Sequence, residues 1–400
     1  MNCPSASDLD AFWRHHHAQW RAPAQVISQW REAEQTHPKL LQHVVRGAWW
    51  ETVAAAKATL LITREYEHLL IGVSATRAGP RVTYLPLPHP SGLVVDRKRQ
   101  VVHVASTRNP NQLYELRPVC STLTRLDVTA AKFNHRPLVP VRSSFLPGCL
   151  YIHDLALIGS DLHANAVGHN AVVRIAADGH YQRVWWPRCI EKKGQPVFGQ
   201  NHIQLNSIAA GKSLGDSFFS ASADKMTTRR PGHRNYPVDK RGVIFSGRTR
   251  TAVTRGLTRP HSARLHEGRV WVDNSGYGEV GIAGADGFQV VCRLPGWTRG
   301  LCFCGNVAFV GTSQVIPRFR HYAPGLDVQT SECAVHALDA ATGRWLGSMI
   351  WPWGNQIFAV DWMPSRQSEG FPFRVGGRRA MEQEKRLFYT FEPEWNDNYE

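Results

Sequence analysis

Short apolar runs opened by a polar or small residue recur along the chain. They read Ser91-Gly92-Leu93-Val94-Val95, His153-Asp154-Leu155-Ala156-Leu157, Asn206-Ser207-Ile208-Ala209-Ala210, His261-Ser262-Ala263-Arg264-Leu265, Arg299-Gly300-Leu301-Cys302-Phe303 and, with weaker likeness, Phe358-Ala359-Val360-Asp361-Trp362. About ten residues after each of the first five openings a second apolar run follows a polar turn, as at Val101-Val102-His103-Val104 and Val270-Trp271-Val272. That offset is the spacing of a hairpin in an all-β chain. Successive copies open between 38 and 62 residues apart, room for four short strands each, which is the size of a propeller blade. Asp178-Gly179, Glu267-Gly268 and Asp286-Gly287 are turn signals where strands reverse. The pattern predicts a six-bladed β-propeller over residues 51–400.

The first 50 residues follow another period. Ser7-Asp8 can cap a helix carrying Phe12, Trp13 and Trp20, and Val26, Ile27 and Trp30 lie on a second amphipathic stretch, so residues 1–50 are expected to form an N-terminal helical extension. His15-His16-His17 would point in different directions from a helix and is read as surface. Near the other end, Phe371-Pro372-Phe373-Arg374-Val375 and Leu387-Phe388-Tyr389-Thr390-Phe391 are two candidates for the strand that closes the ring.

Composition narrows the class. With 42% hydrophobic and 20% charged residues, the 400-residue chain is globular rather than disordered or fibrous. No run approaches a membrane span, and Met1-Asn2-Cys3-Pro4-Ser5 lacks the regions of a secretory signal, so a cytoplasmic protein is expected. The eight cysteines are scattered, and Cys302-Phe303-Cys304 has no second pair to complete a zinc site, so they read as reduced packing residues. Lys+Arg 47 against Asp+Glu 32 gives a net charge of +15, which suits an anionic ligand. Nucleic acid is disfavoured, because the arginines are spread over loops without a recognition-helix or zinc-finger pattern. No nucleotide-cofactor motif is present, and the oligomeric state is open.

In a propeller the innermost strand of each blade lines the axis, and the opening residue of each copy lies near the mouth. The alignment therefore predicts a ring of Ser91, His153, Asn206, His261, Arg299 and Phe358. His153 and His261, with a third donor from His202, Gln204 or Asn206, would form a nitrogen-and-oxygen site suited to iron or copper, and less well to zinc or calcium. Asp154 could be a ligand or fix a histidine tautomer, and it is assigned with Arg299 to catalysis. Arg299 would hold a carboxylate or phosphate, with Ser91, Asn206 and Phe358 completing the substrate site. Taken one at a time, such His and Asp residues often serve only to join blades; their coincidence at equivalent positions favours function. His261-Ser262 does not read as a nucleophile pair, since neighbours on a strand point to opposite faces.

The stretches Tyr151-Ile152-His153-Asp154-Leu155-Ala156, Leu205-Asn206-Ser207-Ile208-Ala209, Pro260-His261-Ser262-Ala263-Arg264-Leu265-His266-Glu267-Gly268-Arg269-Val270-Trp271 and Leu294-Pro295-Gly296-Trp297-Thr298-Arg299-Gly300-Leu301 resemble a bacterial family of unknown function. Its members carry I-H-D-M-A, H-L-N-G-L-A, P-H-S-P-R-W-H-D-G-R-L-W and L-P-G-Y-x-R-G-L. The likeness covers roughly residues 55 to 365 and implies the propeller and the ring, with no reaction attached. Where the family usually has His, two residues before the Asn, this chain has Gln204, with His202 a further two residues back and expected on the same strand face. A three-histidine site in relatives would here be two histidines plus His202 or Gln204.

Calcium lactonases of the propeller class use Glu, Asn and Asp at the axis, whereas this ring has two His and no Glu. The reading that follows is a metal-dependent enzyme modifying a small molecule or peptide, oxidative first and hydrolytic or lyase-like second. The alternative is a non-enzymatic propeller scaffold that binds a protein partner or an anionic ligand.

Overall fold

Each repeated run becomes the innermost strand of one blade. The computed structural model describes residues 5, 7–12, 36–107, 111–122, 134–199, 201–227, 229–375 and 391–393. Among them the inner strands are Pro90–Asp96, Ile152–Ile158, Leu205–Ala209, Pro260–His266, Trp297–Cys304 and Ala359–Pro364, here blades 1 to 6. Every blade continues outward in antiparallel order, as in blade 4, where Pro260–His266 pairs with Arg269–Asn274, then Glu279–Gly284, then Gly287–Arg293. The protein is a six-bladed β-propeller. The Glu267-Gly268 turn in that blade has both residues at positive φ, 49° and 73°, the conformation that lets a two-residue hairpin follow the strand twist.

Blades are joined around the axis by a repeated polar stitch. At five of the six ring positions the residue before offers its carbonyl inward and the preceding blade supplies a donor, and at the first Thr63 Oγ1 donates to the carbonyl of Ser91 itself. Ser91 Oγ reaches Ile152 O at 2.9 Å, Asn165 Nδ2 reaches Leu205 O at 2.7 Å, and Asn206 Nδ2 reaches Pro260 O at 2.8 Å. Ser275 Oγ reaches Thr298 O at 2.6 Å and Ser313 Oγ reaches Ile357 O at 3.1 Å. One layer further along the axis, side-chain oxygens of Asp154, Ser207, Ser262 and Asp361 accept the backbone N–H of Ile208, Ala263, Gly300 and Val95 in the following blade. Buried backbone groups need such partners. Behind this polar collar, apolar faces of neighbouring sheets close on one another, as where Trp271, Leu301 and Val310 join blades 4 and 5. Cys302 and Cys304 are free thiols in the core.

Closure differs from the expectation. Among the described residues the run at 371–375 does not supply the closing strand. The sixth repeat itself does so: Ala359–Pro364 pairs along its length with Ala58–Arg64, so blade 6 joins both ends of the propeller. Phe373–Arg374 adds an outer strand to that blade against Thr83 and Tyr84, and Phe391–Pro393 lies along the edge of blade 1. The sixth copy can do this because Val360 and Met363 are as apolar and as buried as the strand they meet.

In the N-terminal segment, residues 7–12 are helical, capped by Ser5, whose hydroxyl accepts the Asp8 N–H at 3.2 Å, rather than by the expected Ser7. Val44–Gly47 is an edge strand of blade 5. The expected stretch with Trp13, Trp20, Val26, Ile27 and Trp30, and the three consecutive histidines, lie outside the described residues, as do 387–390. Two insertions, 222–241 in blade 3 and 314–333 in blade 5, fold over the mouth with a small core of Trp297, Tyr236, Val238, Val315 and Tyr322.

Candidate functional site

The residue immediately before four of the inner strands has an uncommon backbone conformation. His89, Tyr151, Gln204 and Arg259 have φ of 42°, 53°, 49° and 54°. Left-handed φ is infrequent for residues other than glycine, and such strain collects at functional sites. The turns are held by their surroundings: Tyr151 N–H donates to Asn111 Oδ1 at 3.1 Å and Gln204 N–H to Asn201 Oδ1 at 2.9 Å. With Trp297 and Gln356 of blades 5 and 6, these residues form an upper ring two positions ahead of the predicted one.

Beneath it lies the lower ring. His153 meets the Tyr151 ring edge-on at 4.6 Å and the Phe358 ring at 5.5 Å. The Arg299 guanidinium lies over Phe358 at 3.4 Å from the ring centroid. Blades 2, 5 and 6 therefore meet at one point, and His261 of blade 4 is close enough that His153, Arg259 and Arg299 all act on it.

Arg299 is 6% exposed, and its Nη2 donates to nothing among the described residues; no hydrogen bond or ion pair reaches the side chain. Burial pulls its pKa down, opposed by Glu65, Tyr66, Tyr151 and Asp154. A guanidinium stays charged in proteins, so this is a buried cation whose contact is an aromatic face. Arg259 lies near it, drawn down to about 10 by burial. It donates to Gln204 Oε1 and to Pro231 O in the blade 3 insertion, and lies 4.3 Å over the Tyr322 ring of the blade 5 insertion. Two buried arginines with no carboxylate in contact make the mouth a concentration of positive potential.

His261 has a defined tautomer. Its Nδ1 lies 2.8 Å from Arg259 O, a pure acceptor, and 3.0 Å from Ser275 Oγ, whose own proton goes to Thr298 O. Nδ1 must carry the hydrogen, which leaves the lone pair on Nε2. Burial, then Arg299, Arg259 and His153, hold the imidazole well below the ordinary histidine pKa. It is a neutral base or ligand at physiological pH.

Other expected residues lie as follows. Ser91 is fully buried between the carbonyls of Ala105 and Ile152, and Asn206 donates from Nδ2 to Ser222 Oγ and Pro260 O, so both serve the blade stitch. Asn206 Oδ1 is buried and accepts no bond. Asp154 holds Arg264 through two bonds of 2.7 and 3.0 Å and takes the N–H of Leu155 and Ile208. The expectation that His202 and Gln204 share a strand face fails, because the strand begins at Leu205. Asn170 Oδ1 collects the N–H of both His202 and Ile203 and bends the chain there. Burial and then Lys192 hold the His202 pKa below its ordinary value, with the Thr227 backbone acting the other way, and Gln204 is taken by Arg259. Among the described residues no three His, Cys, Asp or Glu side chains converge as a metal-ion ligand set.

Sequence reasoning missed Tyr151, Arg259, Trp297 and Gln356 as mouth residues, and Glu65 and Tyr66 in the blade 6 loop. The first four could have been found by reading two positions ahead of each ring residue. Glu65 and Tyr66 carry no such signal.

Among solved structures, the chain is similar to one in a nidogen/laminin complex, at 10% identity, TM-score 0.49, over 76% of this chain and 98% of that one. It is also similar to a protein of unknown function from Bacteroides caccae at 8% identity, TM-score 0.47, over 76% and 98%. A gluconolactonase from Xanthomonas campestris is similar at 12% identity, TM-score 0.43, over 70% and 80%. No curated protein matches the chain by sequence. A family model described as a domain of unknown function, DUF4915, matches residues 47–370, from the edge strand of blade 5 through the closure of blade 6 and across every ring residue, and the chain belongs to that family.

Proposed function

We propose that this propeller is an enzyme that binds an anionic small molecule at its axial mouth and acts on it by proton transfer, with Arg299 as the anchor and His261 Nε2 as the base. The carrying observation is the Arg299 guanidinium, buried on the Phe358 ring with Nη2 donating to nothing. A buried cation left without a hydrogen-bonded partner is costly, and a carboxylate or phosphate supplies that partner through paired N–H···O bonds. His261 is fixed through Nδ1, so its free nitrogen is held in one direction, as a general base requires. Exposed cations on the blade 3 insertion, Lys225, Arg229, Arg230 and Arg234, favour approach of an anion to this end.

A second reading is the metal-dependent enzyme. It is favoured by two imidazoles, His153 and His261, directed at one axis, and takes its remaining donors from the ligand. The oxidative or hydrolytic chemistry of such a site would use the same Arg299 anchor.

Calorimetric titration with acetate, succinate and inorganic phosphate tests the anchor. At least one should bind to the wild-type protein and lose about tenfold or more in affinity in Arg299→Gln, a charge-assisted contact of the usual size. Equal binding by a folded Arg299→Gln protein would overturn the assignment. Metal analysis separates the readings: one equivalent of a transition metal, lost in a folded His153→Ala His261→Ala variant, selects the metal-dependent one. Turnover of an anionic species from a cell extract, abolished in His261→Asn, distinguishes an enzyme from a binding scaffold.

A further inference from the structure

The groups around the mouth that lack partners are not all donors. On blades 4 and 5 they are donors: Arg259 Nε, Trp297 Nε1 and Arg299 Nη2. On blade 6 the side-chain carbonyl of Gln356, in the upper ring, is buried and accepts nothing. On blade 3 Asn206 is fixed by its Nδ2 bonds to Ser222 and Pro260, which leaves Oδ1 as an acceptor without a donor. The polar demand is therefore mixed: donors on blades 4 and 5 are flanked around the axis by acceptors on blades 3 and 6.

Glu65 gives the acceptor side a charge. It is 3% exposed, in the blade 6 loop at the mouth, and its carboxylate takes its one described hydrogen bond from Thr107 Oγ1. The strongest attraction on Arg299 comes from Glu65, yet the two make neither an ion pair nor a hydrogen bond. Opposite charges that are both buried close on one another unless the fold holds them apart, because attraction rises as the dielectric falls. Here Arg299 is held by Phe358 and Glu65 by Thr107, and the pair stays open.

We infer that the axial ligand is an amino carboxylate, a zwitterion whose carboxylate closes on Arg299 of blade 5 while its ammonium closes on Glu65 and Gln356 of the neighbouring blade 6. This rests on the reading of Arg299 as an anion anchor and narrows it. A dipolar ligand fills the gap of the open pair and satisfies the donor of Arg299 and the acceptor of Gln356 together. A simple anion would satisfy the donors only and would add a second negative charge near Glu65. The aromatic wall of Tyr66, Tyr151, Trp297 and Phe319 gives the remainder of such a molecule an apolar place.

The test is a thermal-shift and calorimetric panel of free amino acids, each beside the acid that lacks its amine and the amine that lacks its acid, for example phenylalanine with 3-phenylpropionate and phenethylamine. At least one amino acid should bind about tenfold or more tightly than its deaminated acid, since a site built for a donor rejects the analogue lacking it. In Glu65→Gln, which can keep the Thr107 bond, that preference should collapse while the deaminated acid binds at least as well as before. A role of Glu65 in the fold alone would lower the melting temperature and leave the ratio unchanged. If deaminated acids bind as tightly as amino acids and still need Arg299, the inference fails and the anion anchor stands. If no amino acid binds and no acid depends on Arg299, both fail.

Discussion

Asp154 holds Arg264 across the axis, blade 2 to blade 4, through Oδ2 to Nη1 at 2.7 Å and Oδ1 to Nη2 at 3.0 Å. The same carboxylate accepts Ile208 N–H from blade 3, so one side chain ties three blades together. Ser207 and Ser262 occupy the equivalent place in their blades and accept from the next one in the same way. The sequence pattern put Asp154 beside a ring histidine and assigned it to catalysis. Its surroundings are those of a stitch.

Removing that carboxylate should therefore act on stability. Asp154→Ala leaves the half-buried Arg264 guanidinium without its counter-charge and the Ile208 N–H without its acceptor, and breaking a pair whose carboxylate is buried costs up to about 3–5 kcal/mol. The expected result in chemical denaturation is a shifted midpoint of that size. A loss of less than about 1 kcal/mol, the range of an exposed ion pair, would show that the pair does not hold the blades.

Two histidines make acid the weak side of the fold. His261 is kept well below the ordinary value by burial and by Arg299, Arg259 and His153, and His336 is pushed down to about 3 by burial and Arg46. Because the folded values lie below the unfolded value near 6.5, the unfolded chain takes up these protons first as the pH falls. Stability is fully present above about pH 7 and is lost below it, with a slope of up to about 1.4 kcal/mol per pH unit for each such histidine. Melting curves between pH 7.5 and 5 should show this decline, and His336→Gln should flatten it by one proton. An unchanged slope in that variant would count against a neutral His336, whose ring nitrogens now face Thr312 and Ser348 hydroxyls at 3.0 and 2.7 Å.

Asp273 should give the opposite pH dependence. It is fully buried beside Ser262 in blade 4, and burial raises its pKa well above the usual carboxylate range, with Ser262, Arg264 and Arg299 acting the other way. Its folded value exceeds the unfolded one near 3.9, so the stability it contributes is complete at low pH and falls as the pH rises toward the folded value. Asp273→Asn removes the ionisation. The difference in stability between the variant and the wild type should move in favour of the variant by about 1 kcal/mol per unit between pH 5 and the folded value. A difference independent of pH would mean that the carboxyl is already ionised in the fold.

The inner strands were legible because propeller geometry asks the same of each one. It needs a polar or small residue at the opening, then one that lets neighbouring strands approach the axis, then apolar residues for the sheet interface. His153-Asp154 and Ser91-Gly92 look unlike as chemistry and alike as positions, and the period revealed them. The upper ring was legible by position only: His89, Tyr151, Gln204, Arg259, Trp297 and Gln356 share a register two ahead of the lower ring and no property, so reading by residue type picked out Gln204 and passed over Tyr151, Arg259, Trp297 and Gln356. His202 was misplaced because alternation was extended past the start of a strand, into a bend set by Asn170, a residue 32 positions earlier. Glu65 reaches the mouth from a hairpin loop whose composition says nothing of the axis. Side-chain direction at the ends of strands depends on such distant partners, and a single sequence does not display them.

Closure of the ring gives a test that separates position from composition. Two truncations remove apolar residues near the same end of the chain, with different expected effects. Ending at Ile357 deletes Ala359–Pro364, the inner strand of blade 6, and leaves Ala58–Arg64 without its partner on the axis side. It also removes Asp361, which accepts the Val95 N–H and so fastens blade 6 to blade 1. An open propeller exposes the apolar faces of two blades at once, including Leu61, Leu93 and Leu70, and each large aliphatic side chain returned to water costs roughly 1.5–3 kcal/mol. For these three alone that is of the order of the whole stability of an ordinary domain, so this variant should show no cooperative melting transition. Ending at Val375 keeps blade 6 whole, including Phe373–Arg374, and removes from the described residues only the edge strand Phe391–Pro393. Its melting temperature should stay within a few degrees of the full chain, as suits a peripheral strand of three residues. If the longer truncation melted like the intact protein, blade 6 would not be what holds the ring closed.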